Sequence, residues 1–122
     1  MMAEDRLVHR CPERAARGRI SADLLKALNN PLRREVLRLL HRAPDPLSAR
    51  RMSRTVEDTG NGLSHHLRVL ADLGVVKLVG VEKVRGVKEK FFASEVGDNA
   101  QVCAILVDTE QDDAHVRRRH VR

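Results

Sequence analysis

Residues 47–79 of this chain read LSARRMSRTVEDTGNGLSHHLRVLADLGVVKLV, and this stretch decides the fold. Ser48 is placed to cap a short helix, and Thr59 is placed to cap a second one. The second segment carries leucines at spacings of four, three and three, which predicts one buried helical face. These leucines are Leu63, Leu67, Leu70 and Leu73. Two helices joined by a tight turn are typical of a helix-turn-helix unit.

The opposite face of the second helix is polar and carries short side chains near its start. The major groove of DNA is about 12 Å wide and admits one α-helix, whose short polar side chains can then reach base edges. Histidine and arginine can reach guanine or a phosphate oxygen. Gly60 and Gly62 remove bulk where such a helix would approach the duplex. We therefore predict DNA contact for Gly60, Asn61, Ser64, His65 and Arg68.

After Gly74 the periodicity changes from helical to strand-like. Two runs rich in valine and phenylalanine, residues 75–81 and 87–93, are predicted to pair as a β-hairpin. The polar link between them, residues 82–86, ends in glycine, as a hairpin turn does. Cations cluster near this link, where they can contact phosphates or the minor groove, namely Lys83, Arg85, Lys88 and Lys90. The alternative is a solvated edge that only prevents aggregation.

Helices are also predicted on both sides of this unit. Ser21 can cap a short helix, and Asn30-Pro31 marks the start of a longer one. The longer helix has an apolar stripe of Leu32, Val36, Leu37 and Leu40, and we expect Arg33, Arg34, Glu35, Arg38 and Arg42 to lie outside it. After the hairpin, Asp98 or Asn99 begins a last helix with a broad apolar side. The predicted order of elements is therefore α-α-α-α-β-β-α.

The chain is predicted to form one small domain with an extension at each end. Residues 20–93 form the core, a winged helix-turn-helix that is mainly α with a small β-hairpin. Residues 1–19 form an arm or a short helix, because Pro12 and Gly18 interrupt any longer one. Residues 94–122 contain the last helix and a basic tail, which we expect to be frayed.

The charge of the chain favours a polyanionic partner. Its 122 residues include 23 Lys and Arg against 17 Asp and Glu, which gives a net charge of +6. When a positively charged face binds phosphates, it releases their counterions, which favours binding. The alternative is that the arginine content reflects codon usage. Aromatic residues are only 2%, with no Trp or Tyr, which argues against a single-stranded nucleic-acid reader because such proteins stack bases on several rings.

The sequence predicts no metal, no cofactor and no enzymatic activity. His65 and His66 are adjacent, so on a helix they point about 100° apart and cannot easily share one ion. The acids and histidines near the end of the chain do not share a face, since His115 and His120 lie five residues apart. We expect them to form a solvated helix end. Phosphate-loop, nucleophile-elbow and zinc-protease motifs do not occur in the sequence.

Residues 26–40, KALNNPLRREVLRLL, together with residues 47–79 resemble the ArsR-type winged helix-turn-helix regulators. The Asn-Pro-Leu-Arg helix start, the Ser-His-His-Leu tetrad and the Leu-Gly-Val-Val exit into the hairpin carry this resemblance, which covers residues 20–93. It implies a homodimeric repressor released by a ligand, with the first and last helices at the dimer interface. It also implies DNA contact at the five positions predicted above. The family often has a glycine and an apolar residue where this chain has Glu57 and Asp58.

Cys11 and Cys103 are the only cysteines in the sequence. If the N-terminal segment packs on the last helix, as the family's dimer interface implies, the two thiols could form a redox switch that alters dimer geometry. The alternative is that Cys103 is a small core residue and Cys11 is incidental. Two lone thiols, with no signal-like or membrane-spanning run in the sequence, predict a cytoplasmic protein.

Together these features predict a transcriptional regulator that binds double-stranded DNA, most simply a homodimeric repressor acting on an inverted-repeat operator. The sequence does not identify an effector. The rival hypothesis is a winged helix that serves protein–protein interaction without specific DNA binding. Polar and charged groups at Ser64, His65 and Arg68 favour DNA, because an interaction face would more often be apolar.

Overall fold

A computed structural model describes residues 20–118 of the chain. The predicted arm, residues 1–19, and the last four residues of the basic tail lie outside the described residues. The elements are α1 (Ala22–Ala27), α2 (Pro31–Arg42), β1 (Leu47–Ser48), α3 (Ala49–Met52), α4 (Gly60–Asp72), β2 (Val76–Val84), β3 (Val87–Ser94), α5 (Ala100–Asp108) and a 3-10 helix (Asp112–Val116). The protein is therefore rich in helix with one small antiparallel sheet, an arrangement compatible with a winged helix-turn-helix.

The predicted helix caps are confirmed. Ser21 caps α1 by accepting a hydrogen bond from the Leu24 amide, and Asn30 caps α2 with Pro31 at the first helical position. Ser48 caps α3, and Thr59 caps α4 by accepting from the Gly62 amide at 3.1 Å. These side chains satisfy amide groups that have no partner inside the helix, so each helix begins where the sequence places it.

The core is aliphatic and centres on α4. Leu63, Leu67 and Leu70 have no exposed surface, which confirms three residues of the predicted leucine face, whereas Leu73, just after the last turn of α4, is only partly buried. They pack with residues of α2 and of the C-terminal elements, including Val36, Leu37, Val102 and Leu106. Gly74 ends the helix at φ 83°, a left-handed conformation that favours glycine. This packing fixes which face of α4 remains outside.

The sheet has three strands where the sequence predicts two. Residues Leu47–Ser48 form β1 and pair with β3, so the strand order is β1-β3-β2 and the predicted order of elements is wrong at this point. Ser48 has φ −101° and ψ 164°, the extended backbone that a helix N-cap requires. The same extended backbone can form a strand pair, so one residue both caps α3 and ends β1.

The hairpin is longer, and its turn tighter, than predicted. β2 extends to Val84 and β3 begins at Val87, so the turn contains only Arg85 and Gly86 instead of residues 82–86. Both turn residues have positive φ, 52° for Arg85 and 82° for Gly86. This is the handedness that two-residue hairpin turns need in order to match the twist of the strands.

The segment after α5 folds back onto α2 and the helix-turn-helix. Asn99 caps α5, which buries Val102, Cys103 and Leu106. The 3-10 helix then carries the chain back along α2. The prediction of a frayed tail is wrong for the last two described residues. The Glu57 amide donates to the Val116 carbonyl at 2.8 Å, and the Arg118 amide donates to the Thr55 carbonyl at 2.8 Å.

A buried charge network holds this segment in place. The Arg38 guanidinium has no exposed surface and donates to Glu35 Oε1 at 2.8 Å and to Asp113 Oδ2 at 2.6 Å. Arg34 donates two hydrogen bonds of 2.7 Å to the same Asp113 carboxylate. The expectation that Arg38 and Glu35 lie outside the core is therefore wrong, as is that of a solvated end at Asp113. Asp113, which pairs with both Arg34 and Arg38, lies more than 70 residues after them in the sequence.

Candidate nucleic-acid interface

The outer face of α4 forms one wall of an open cleft. Asn61, Ser64 and Arg68 lie on consecutive turns of this helix and are all exposed. Leucines on the opposite side hold α4 in the core, which fixes the direction of this polar face. The helix is thirteen residues long and begins at Gly60.

The other walls of the cleft come from α3 and the hairpin. The cavity has a volume of about 890 Å³. Its lining includes seven of the nine helix and hairpin residues predicted to contact DNA, namely Gly60, Asn61, Ser64, Arg68, Arg85, Lys88 and Lys90. Arg50, at the start of α3, adds a cation that sequence analysis missed. The fold thus brings two predicted groups, more than fifteen residues apart in sequence, to one surface.

Two predicted contact residues, His65 and Lys83, are not part of the cleft lining. His65 is exposed, and its ring centroid lies 5.6 Å from that of His66. Lys83 lies directly opposite Lys88 in the hairpin register. Like charges at directly opposed positions repel, so this pair weakens the hairpin unless an anion binds to it.

His66 connects α4 to α2 and to the preceding turn. Its Nδ1 accepts a hydrogen bond of 3.1 Å from Arg33 Nε, and its Nε2 lies 3.7 Å from Asp58 Oδ2. Burial lowers the pKa of His66, and the charge of Arg33 lowers it further, while Asp58 opposes both. The imidazole is therefore neutral at pH 7, as the hydrogen bond to Nδ1 requires. His66 therefore lies at the junction between α4 and α2.

The two glycines at the start of α4 have different environments. A Cβ at Gly60 would meet no protein atom within 4 Å, so the fold itself does not require glycine there. A Cβ at Gly62 would collide with the Asp58 carboxylate. Asp58 Oδ1 also accepts the Thr59 amide at 2.7 Å. The acid that departs from the ArsR pattern is therefore engaged in the turn, and Gly62 makes room for it.

Glu89 fixes the hairpin to α3, a role that sequence analysis missed. Its side chain is 9% exposed, and Ser48 Oγ donates a 2.5 Å hydrogen bond to Glu89 Oε2. Arg50 and Arg51 lie 3.7 and 4.0 Å from the same carboxylate. Because Ser48 also caps α3, the hairpin and the first helix of the helix-turn-helix share one anchor.

Replacing Glu89 by alanine is expected to lower the free energy of unfolding by about 2 kcal/mol, because a hydrogen bond to a charged group is lost and the Ser48 hydroxyl loses its acceptor. Urea unfolding at pH 7 measures this. Glu82→Ala is the matched control, since Glu82 lies opposite Glu89 in the register but is exposed. Equal losses in the two variants would contradict an anchoring role for Glu89.

The remaining predicted features are only partly within the described residues. Cys103 is buried, 3% exposed, whereas Cys11 lies outside the described residues, so a redox pair stays a prediction. Within residues 20–118 there is no group of three or more histidine, cysteine, aspartate or glutamate side chains that could hold a metal ion. In the same range, no helix is both long and apolar enough to cross a membrane.

Comparison with known protein families finds a match in the central part of the chain. Residues 28–79 match the family model described as a helix-turn-helix domain. This range includes α2, α3, α4 and the first residues of β2. Among curated proteins, no significant match to the chain is found. Residues 28–79 are therefore similar to helix-turn-helix domains.

Proposed function

We propose that this protein is a sequence-specific transcriptional regulator that binds double-stranded DNA, with α4 as its recognition helix and the β2–β3 hairpin as its wing. The observation that carries this proposal is the joint cleft. The polar face of α4 and the cations of α3 and the hairpin lie on one surface, the arrangement that a recognition helix needs between flanking phosphate contacts.

Within this proposal, base edges are read by Asn61, Ser64 and Arg68. An arginine on the exposed face of a helix in the major groove can donate two hydrogen bonds to O6 and N7 of guanine. Gly60, whose Cβ position is open, allows the start of α4 to approach the duplex closely. His65 is exposed one residue after Ser64 and is assigned to a neighbouring phosphate or base.

Phosphate contacts are assigned to the hairpin cations Lys83, Arg85, Lys88 and Lys90 and to Arg50. Lysine and arginine side chains on phosphates fix register without reading sequence. The directly opposed positions of Lys83 and Lys88 in the hairpin register support this assignment, because a phosphate bound near both would remove their repulsion. Arg50 is 63% exposed, so its guanidinium can reach DNA.

We further propose that the regulator acts as a homodimeric repressor on an inverted repeat, as the ArsR resemblance implies. Leu25 on α1 is 52% exposed and Val107 on α5 is 38% exposed, so both of the proposed interface helices present apolar side chains. Two recognition helices related by a two-fold axis would read half-sites about one helical turn apart. Because its proposed partner is genomic DNA, we place the protein in the cytoplasm.

The rival function, a protein-interaction module, has one observation in its favour. The hairpin exposes apolar side chains, including Val79 at 42%, Val81 at 49% and Val87 at 67%. Exposed valines of this kind can form a protein interface. The exposed face of α4, however, is polar, whereas a protein-interaction module would be expected to present an apolar face. DNA binding is therefore the stronger proposal.

Arg68→Ala tests the proposal on an operator selected from a pool of random duplexes. The expected result is about thirtyfold weaker binding for each half-site and loss of preference at one base pair in each half-site, since a bidentate base contact contributes about 2 kcal/mol of discrimination. Fluorescence anisotropy with labelled duplex measures the affinity, and circular dichroism checks the fold.

Arg54→Ala is the matched control, because it removes the same charge from an exposed residue that is not among the cleft-lining residues. Its base preference should remain that of the parent. If selection recovers no preferred duplex for the parent protein, or Arg68→Ala behaves like Arg54→Ala, the assignment of α4 as the recognition helix is wrong.

A further inference from the structure

Part of the cleft between α4 and the hairpin is apolar. Among its lining residues are Ala71, Leu78, Val84, Val87 and Phe92. Leu78 is 48% exposed and lies opposite Phe92 in the hairpin register, so the two form a continuous apolar surface. Removing a side chain the size of leucine from water lowers the free energy of the system, and nothing within residues 20–118 covers this apolar surface.

Contact with DNA explains the cations of the cleft but not this apolar surface. Phosphates and base edges are recognised by charge and hydrogen bonding, to which Leu78 and Phe92 contribute nothing. A volume of about 890 Å³ also falls in the range of small-molecule sites, which are mostly apolar with a few convergent polar groups. The cleft has these two components side by side.

The charge of the lining defines the class of molecule that would fit. Five cations line the cleft, namely Arg50, Arg68, Arg85, Lys88 and Lys90. Glu89 is the one carboxylate among the described lining residues, and Ser48 and two arginines already occupy it. A ligand with one anionic head and an apolar body would satisfy both halves of the site.

We propose that the cleft is the effector site, and that it binds an amphipathic anion such as a long-chain carboxylate, with the apolar body on Leu78 and Phe92 and the carboxylate among the cationic side chains. This inference rests on the proposed function. Because Arg68, Lys88 and Lys90 would serve both the ligand and the DNA, the two would exclude each other, and rising ligand concentration would release the regulator from its operator.

Dodecanoate, used below its micelle concentration, is the probe, and butanoate is its control with the same head and almost no apolar body. Isothermal titration calorimetry on the protein alone should show dodecanoate binding and no butanoate binding. At a free concentration ten times its own dissociation constant, dodecanoate should weaken apparent DNA affinity about elevenfold by competition.

Two variants on the same strand locate the site. Leu78→Asn should weaken dodecanoate binding about tenfold, by loss of apolar contact, and leave DNA affinity unchanged. Val79→Asn is the matched control, since Val79 is 42% exposed and is not among the lining residues. It should bind dodecanoate as the parent does.

Three results would overturn the inference: no heat of dodecanoate binding, parental binding in Leu78→Asn, or simultaneous binding of dodecanoate and DNA. Failure of the proposed function is a separate outcome. In that case the parent protein binds no duplex at all, while calorimetry with Leu78→Asn and Val79→Asn still decides whether the cleft holds the ligand.

Discussion

Asp113→Asn is expected to lower the free energy of unfolding by about 3–5 kcal/mol, because it leaves the buried Arg38 guanidinium without its principal counter-charge. Asp113 is 1% exposed and accepts hydrogen bonds from both Arg34 and Arg38. An asparagine of the same size would present one oxygen and an NH2 group to two arginines that offer only donors. Urea unfolding at pH 7, followed by circular dichroism, measures the loss.

Asp112→Asn is the matched control for this substitution. Asp112 is the neighbouring residue of the same 3-10 helix and is exposed, so its replacement should change stability by less than about 0.5 kcal/mol. A comparable small loss for Asp113→Asn would show that the network contributes little and that other contacts hold the C-terminal segment on α2.

Acid titration gives a second readout of the same carboxylate. Burial by itself would raise the pKa of Asp113, but hydrogen bonds from Arg34 and Arg38 and their positive charges outweigh burial and lower the pKa from 3.8 to about 2. A depressed folded-state pKa contributes stability that is present above the unfolded value and is lost as the pH falls. The parent protein should therefore lose about 2 kcal/mol from this group between pH 4 and pH 2, and Asp113→Asn should lack that loss.

Local signals made the helices of this fold predictable. Ser21, Asn30, Ser48 and Thr59 mark the helix starts, because a cap depends only on residues within one turn. The leucine spacing of α4 likewise fixes its buried face. Once that face is known, the outward direction of Asn61, Ser64 and Arg68 follows from the helical period alone.

Features that depend on distant partners could not be read from the sequence. The sequence pattern of α2 indicates a surface position for Arg38, and its burial depends on Asp113, a counter-charge 75 residues later that the pattern cannot show. Glu89 alternates with lysines, as a solvated strand residue would, yet its carboxylate is buried and accepts a hydrogen bond from Ser48. The sequence does not indicate the two-residue turn at Arg85 and Gly86. Arg85 adopts a positive φ that arginine rarely shows, so its residue type gives no turn signal.

Salt dependence is expected to show the largest effect on DNA binding. If the five assigned cations of both protomers contact phosphates, namely Arg50, Lys83, Arg85, Lys88 and Lys90, ten counterion-releasing contacts give a slope of log K against log salt of about −9. Affinity for the selected operator should then fall about a hundred-thousandfold between about 50 and 200 mM salt. Fluorescence anisotropy across this range measures the slope.

Lys88→Gln connects that slope to the wing. Removing one contact from each protomer should make the slope shallower by about two, with base preference unchanged, because phosphate contacts carry no sequence information. Lys77→Gln is the matched control on the same hairpin, since Lys77 is paired with Glu95 at 3.3 Å and is not among the cleft-lining residues. A protein-interaction module whose wing lysines serve only solubility would show no slope difference between these two variants. A shallower slope in Lys88→Gln alone therefore supports phosphate contact and argues against the rival function.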